Sequence, residues 1–112
     1  MLAHPASVDT IPTSGKQEDH VSMGWTAVRK LREVVANVRT CLAVEMCCAA
    51  QGIDLRADVA APSEPLRAVH VTVRERVPMM EVDREVAEQI ASVDELLPAL
   101  VGVAAAHCGG LR

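Results

Sequence analysis

The fold of this chain is decided by one stretch, Cys41–Ala50, which reads CLAVEMCCAA. Every position except Glu45 is apolar, so a helix through this stretch has to be buried on all sides. The residues that follow it in a chain of 112 are too few to surround it. The stretch therefore predicts an obligate oligomer or a part of a larger helical protein. Glu45 is expected to be a buried carboxylate in a structural ion pair, because an unpaired buried charge costs several kcal/mol.

An apolar stripe extends the same helix towards the N-terminus. Its side chains recur every three or four residues, the spacing of one helix face: Val21, Trp25, Val28, Leu31, Val35, Val38, Leu42, Met46 and Ala49. The basic residues opposite its first half are interpreted as a solvated or subunit-facing surface, because a net charge of −4 provides no footprint for nucleic acid. We predict one long helix over residues 16–51, after an irregular lead-in over residues 1–15.

The long helix is predicted to open with a polar cluster, Gln17–His20. Ser14 and Gln17 fit a capping box, and the carboxylates of Glu18 and Asp19 favour the positive end of the helix dipole. This structural interpretation is sufficient by itself. No metal site is predicted, since adjacent side chains point in different directions around a helix and the four cysteines lack the paired spacing of a zinc site.

Downstream we predict a connector over residues 52–65 and short helices over residues 66–106. Residues 69–74 alternate as a strand would, but a lone strand is unstable, so a helix is favoured. Ser92 and Glu95 suggest a second capping box, and Pro98 is expected to kink or delimit the helix that follows. The fold class is therefore all-α, with one long central helix and shorter C-terminal helices.

The sequence also predicts a cytoplasmic protein that does not enter a membrane. The longest uncharged run, Leu96–Leu111, contains Pro98 and His107 and falls short of a membrane span. No signal peptide follows Met1, so the cysteines are expected to be reduced and buried thiols.

Several ordered runs resemble the aromatic amino acid lyase family, and within it the C-terminal part of the histidine ammonia-lyases. The runs are SVDTIPTS (7–14), QEDHVSMG (17–24), LAVE (42–45) and AAQGIDLR (49–56). The resemblance is strong over residues 2–56 and fainter over residues 66–90.

The resemblance implies a piece of a large all-α homotetrameric enzyme that eliminates ammonia from an amino acid, here L-histidine to give urocanate. The family uses a methylidene-imidazolone group made from an internal Ala-Ser-Gly. This sequence lacks that tripeptide, so the group and the upstream part of the enzyme would come from outside this chain, which is expected to be inactive alone. By resemblance Glu18 is the catalytic and substrate-binding glutamate, and Gln17 a weaker substrate-binding candidate that orients it.

Three alternatives stay open at this stage. A tyrosine ammonia-lyase or an aminomutase of the same family would share these runs. A non-catalytic helical oligomerisation module would explain the missing Ala-Ser-Gly. If the chain is a lyase fragment, Met1 is expected to be an internal methionine or the sequence an incomplete reading frame, and whether it is instead a real short protein stays open. Lys16 departs from the small or amide residue that many relatives carry.

Overall fold

A computed structural model describes residues 3–17 and 20–108 of the chain. Three helices follow two short 3-10 turns, Ala6–Val8 and Ser14–Lys16; the helices are α1 (Gly24–Leu55), α2 (Glu64–Arg74) and α3 (Ala87–His107). No strand occurs among the described residues. The all-α prediction is confirmed, and so is the choice of a helix for residues 69–74. Packing divides the chain into two compact units, one up to Val38 and one from Arg39 onwards.

Helix α1 begins at Gly24 instead of residue 16, and ends at Leu55 instead of residue 51. The predicted capping box does not form, because Ser14, Gly15 and Lys16 have positive φ angles of 46°, 66° and 72°. Such angles are left-handed and cannot belong to a right-handed helix. The start is set instead by Ser22, whose Oγ accepts a hydrogen bond from the Gly24 N–H at 3.2 Å.

The apolar stripe of α1 is uncovered in the first unit. Trp25 is 77% exposed, and the following members of the row remain at least half exposed: Val28, Leu31, Val35 and Val38. Single exposed apolar side chains are ordinary, but a continuous row along one helix face marks an interaction surface. The sequence pattern thus identified an apolar face correctly, and this chain by itself does not bury it.

The hydrophobic core lies in the second unit, where all three helices contribute to it. Its buried members are Ala43 and Ala50 from α1, Val73 from α2, Val77 just after α2, and Val93 and Leu100 from α3. The two alanines allow close approach of the neighbouring helices, because their side chains add little bulk. Helices α2 and α3 also contact each other.

Glu45 and the cysteines are more exposed than predicted. Glu45 is exposed, Cys41, Cys48 and Cys108 are exposed free thiols, and Cys47 is half-buried. The core helices cover only the side of α1 that carries Ala43, Met46, Cys47 and Ala50. The other sides of the stretch Cys41–Ala50 therefore remain open in this chain, and the expected burial of Glu45 in an ion pair is wrong for it.

Helix α3 is continuous where a helix start and a break were predicted. Ser92 lies inside it, and its Oγ donates to the Glu88 carbonyl at 2.9 Å, so it does not cap a new helix. Pro98 also lies inside. A proline cannot donate to the carbonyl four residues earlier, which here is that of Asp94. Arg39 Nη2 donates to this carbonyl at 2.9 Å and replaces the missing helical donor.

The C-terminal apolar segment is longer than the uncharged run suggested. Among the described residues, α3 is the one helix whose 21 residues are long and apolar enough to cross a membrane, by length and composition alone. Two of its side chains, Val93 and Leu100, belong to the buried core with α1 and α2.

Candidate functional site

The predicted site lies in the loop that precedes α1. Gln17 follows the Ser14–Lys16 turn, is exposed, and donates its N–H to the Ser14 carbonyl at 3.2 Å. Glu18 and Asp19 lie outside the described residues. His20 is exposed on the other side of them. Of the two predicted site residues, the structure therefore places Gln17 at the surface directly before position 18.

A tight left-handed turn leads into Gln17. The Lys16 N–H donates to the Thr13 carbonyl at 2.9 Å, and the backbone passes through three consecutive positive φ angles. Glycine adopts such angles freely, whereas Ser14 and Lys16 do so at a cost of about 1–2 kcal/mol each. Non-glycine residues stay in this region only when the surrounding structure fixes them. The turn is therefore held in place by contacts elsewhere in the loop.

Those contacts lie at the two ends of the loop. Thr10 Oγ1 accepts a hydrogen bond from the Val21 N–H at 2.9 Å and donates one to the Val21 carbonyl at 3.1 Å. A further hydrogen bond, from the Lys30 ammonium to the His4 carbonyl, connects the residues that precede Thr10 to the first turns of α1. His4 Nδ1 also lies 3.7 Å from Asp9 Oδ2.

A second polar cluster, which sequence reasoning missed, joins the last turn of α1 to α2. His70 Nε2 lies 2.7 Å from Asp54 Oδ1, and Arg74 Nη2 lies 2.6 Å from Asp54 Oδ2. The three side chains are only 15–17% exposed. Gln51 extends the cluster through hydrogen bonds to both backbone groups of Met80. The available signal was the spacing of His70 and Arg74, which places two nitrogen donors on one helix face.

The apolar surfaces of the second unit do not carry chemistry of their own. A groove of about 520 Å³ is lined by one charged residue, Glu45, and otherwise by apolar side chains of the three helices such as Met46 and Leu97. Burial, reinforced by Cys48, raises the pKa of the Cys47 thiol, which makes it a poor nucleophile at neutral pH. Among residues 3–17 and 20–108, no group of three His, Cys, Asp or Glu side chains could hold a metal.

The loop and the helices that follow it match a known family. The model of the aromatic amino acid lyases matches residues 1–75, which include the loop, α1 and α2. The chain belongs to the aromatic amino acid lyase family. The resemblance of the ordered runs is thereby confirmed.

Individual members of the aromatic amino acid lyase family are similar over most of this chain. The histidine ammonia-lyase of Anaeromyxobacter sp. (strain K) is 52% identical over 97 residues, 87% of this chain and 19% of that protein. The histidine ammonia-lyase of Aromatoleum aromaticum is 50% identical over 108 residues, 96% of this chain and 20% of that protein. The chain thus spans about a fifth of the length of these relatives.

Solved structures of family members share the fold. Histidine ammonia-lyase from Trypanosoma cruzi superposes with a TM-score of 0.84 at 42% identity, covering 92% of this chain and 21% of that one. Tyrosine aminomutase from Streptomyces globisporus superposes with a TM-score of 0.80 at 35% identity, covering 92% and 20%. The long helix and the two shorter ones therefore correspond to about a fifth of each of these larger proteins.

The residues of this lyase segment do not fit the precursor of the methylidene-imidazolone group that the resemblance implies. The sequence has no Ala-Ser-Gly, and the nearest tripeptide is Thr13-Ser14-Gly15. Its Thr13 and Ser14 carbonyls accept hydrogen bonds within the left-handed turn. The turn has a structural role in shaping the loop, and a prosthetic group of this kind would need residues other than those of this sequence.

Proposed function

We propose that this chain is the C-terminal part of a histidine ammonia-lyase, which converts L-histidine to urocanate and ammonia. The observation that carries the proposal is the 52% identity to the histidine ammonia-lyase of Anaeromyxobacter over 87% of this chain. The uninterrupted run QEDHVSMG at residues 17–24 supports it. Because the chain has no precursor for the electrophile, it is inactive until it is joined to the rest of the enzyme.

Glu18 is proposed as the catalytic residue and as a contact to the substrate. A carboxylate in a partly desolvated site accepts a proton or pairs with an ammonium group, and its surroundings tune its pKa. The amide of Gln17, next to it in the sequence and exposed, is suited to orient the carboxylate or to contact the substrate by hydrogen bonding. The methylidene-imidazolone group supplies the electrophile when the enzyme is complete.

The complete enzyme is proposed to be a cytoplasmic homotetramer. The uncovered row of apolar side chains on α1 and the exposed positions within Cys41–Ala50 support burial against the upstream part of the enzyme and against other subunits. The intact QEDHVSMG run counts against a small free-standing oligomerisation module, which would have no use for it.

A tyrosine aminomutase of the same family is the second candidate, because such an enzyme superposes on 92% of the chain. Its identity is 35%, against 42% for the histidine ammonia-lyase of Trypanosoma cruzi. The difference favours histidine as the substrate.

A chimeric enzyme tests the proposal. This chain replaces the matching segment of the Anaeromyxobacter histidine ammonia-lyase, and the product is followed by the ultraviolet absorbance of urocanate. We expect urocanate from L-histidine and no β-tyrosine from L-tyrosine. A folded chimera that forms β-tyrosine would favour the aminomutase, and one that is inactive on both substrates would favour the non-catalytic module.

A further inference from the structure

Thr10 makes two hydrogen bonds to a single residue on the far side of the site loop. Its hydroxyl accepts from the Val21 N–H at 2.9 Å and donates to the Val21 carbonyl at 3.1 Å, across eleven positions of sequence. One hydroxyl thus satisfies both backbone groups of Val21. We call this pair of hydrogen bonds the Thr10 clip. It closes a loop that contains Gln17 and, by sequence, Glu18.

The loop inside the clip contains strained backbone. Ser14 and Lys16 have left-handed φ angles of 46° and 72° although neither is glycine. Ile11, Pro12, Gly15 and Gln17 around this turn are exposed, and Thr13 is half-buried. When both ends of a loop are fixed, the loop has fewer alternative conformations, so a strained turn within it can persist. Among the contacts of the described residues, the clip joins the two ends of this loop directly to each other.

The helix start does not depend on the clip. Ser22 Oγ accepts from the Gly24 N–H, and the Ala27 N–H donates to the Met23 carbonyl at 3.1 Å as the first helical hydrogen bond. Loss of the Thr10 hydroxyl would leave both of these bonds in place. The clip therefore acts on the loop before α1 and leaves α1 itself unchanged.

We propose that Thr10 is a positioning residue of the lyase: it fixes to each other the two ends of the segment whose sequence includes Gln17 and Glu18, and turnover depends on this closure. This inference rests on the function proposed above for Glu18. A catalytic group that shifts by about 1 Å can lose roughly a hundredfold in rate, so a loop closed by two hydrogen bonds has a large effect on turnover.

The test compares three substitutions in the chimeric enzyme. Thr10→Val keeps the shape of the side chain and removes both hydrogen bonds, Thr10→Ser keeps the hydroxyl, and Thr26→Val is the matched control at an exposed position on α1. We expect kcat to fall about tenfold or more in Thr10→Val, with KM changed by less than about threefold, because the loss is in placement of a reacting group. Thr10→Ser should restore most of kcat, and Thr26→Val should leave it unchanged.

Hydrogen exchange and thermal unfolding separate positioning from general destabilisation. Exchange of the peptide covering residues 11–22 should be faster in Thr10→Val than in Thr26→Val, while the melting temperatures of the variants stay together. An unchanged kcat in Thr10→Val would overturn the proposal, and so would a kcat that Thr10→Ser fails to restore. If the parent chimera forms no urocanate, the proposed function fails. Exchange then still decides whether the clip holds the loop, and an unchanged rate in Thr10→Val refutes it.

Discussion

Glu18→Gln replaces one carboxylate oxygen by an NH2 group and is the smallest change that removes a base at position 18. In the chimeric enzyme we expect Glu18→Gln to lower kcat by roughly 10²–10⁴-fold, the usual contribution of a positioned acid or base. The initial rate of urocanate formation at saturating L-histidine measures it. Glu33→Gln is the matched control, since Glu33 is an exposed glutamate on α1. Near-normal turnover of Glu18→Gln would remove Glu18 from the catalytic role.

A second prediction at the residue scale concerns the ion pair between Arg39 and Asp94. Hydrogen bonds from the Arg39 guanidinium, at 3.0 and 2.8 Å, hold the pKa of the Asp94 carboxyl below its ordinary value. A lowered folded-state pKa gives stability that is complete above the unfolded value, about 3.9, and is lost as the pH falls through the folded value. The advantage over Asp94→Asn should thus be constant near neutral pH and begin to shrink as the pH falls below about 4.

The measurement is the urea midpoint of the isolated chain and of Asp94→Asn from pH 3 to pH 7, at one protein concentration. Asp58→Asn serves as the control, because Asp58 is an exposed aspartate in the turn after α1. An advantage over Asp94→Asn that persists undiminished at pH 3 would contradict the assignment.

At the scale of the helix, α3 shows how a proline is accommodated without a break. Pro98 removes the donor for the Asp94 carbonyl, and Arg39 from α1 supplies another one while it also binds the Asp94 carboxylate. The sequence indicated that Pro98 would interrupt a helix. The replacement donor, Arg39, lies 55 positions before Asp94 in the chain, a long-range contact that no local pattern reveals.

Helix α2 carries two arginines that allow a matched comparison. Arg74 pairs with Asp54 where both side chains are about one-sixth exposed, whereas Arg67 pairs with Glu64 where both are more than 60% exposed. We expect Arg74→Gln to lower the free energy of unfolding by about 2 kcal/mol, because a charged partner is left poorly solvated. Arg67→Gln should cost less than about 0.5 kcal/mol, as for other surface ion pairs.

Urea unfolding of the two variants at equal protein concentration provides the comparison. Equal losses would show that the cluster of Asp54, His70 and Arg74 contributes no more than a surface pair. A larger loss for Arg67→Gln would reverse the ranking by exposure on which the prediction rests.

The start of α1 shows why element boundaries were misplaced. Ser14 and Ser22 both precede a plausible helix, and only Ser14 has the glutamine three residues on that a capping box requires. The three positive φ angles from Ser14 to Lys16 exclude a helix there. Of these three residues, only Gly15 is of a type that predicts a positive φ angle from the sequence. Ser14 and Lys16 adopt such angles because of the loop around them.

At the scale of the whole molecule, the exposed row on α1 predicts association of the isolated chain. We expect its sedimentation coefficient to rise with protein concentration, since apolar surface exposed in a row is removed from water by contact between chains. Leu31→Glu combined with Val35→Glu should abolish this rise, and Val59→Glu, at an exposed valine outside the helix, should not. A compact monomer at all concentrations would show that the row needs no cover.

The overall class was accessible from the sequence because it depends on repeated local features. The three-to-four spacing from Val21 to Ala49 predicted the long helix, and the QEDHVSMG run indicated the lyase family. Contacts between distant residues, such as Thr10 with Val21 and Asp54 with Arg74, were not accessible, because each depends on how the chain returns to itself. The burial of Glu45 was misjudged because the apolar pattern around it predicts neighbours on every side, whereas the core covers only the side of α1 that carries Ala43, Met46, Cys47 and Ala50.

Because the apolar face of α1 is uncovered, the stability of this chain depends on the surface that covers it. Whatever covers the row of Val28, Leu31, Val35 and Val38 binds the folded helix and not the unfolded chain, so it stabilises the fold by mass action. The melting temperature of this chain therefore depends on which covering surface is present and at what concentration. The melting temperature rises with the concentration of the covering surface. Substitutions far from the row lower the melting temperature most when the concentration of that surface is low.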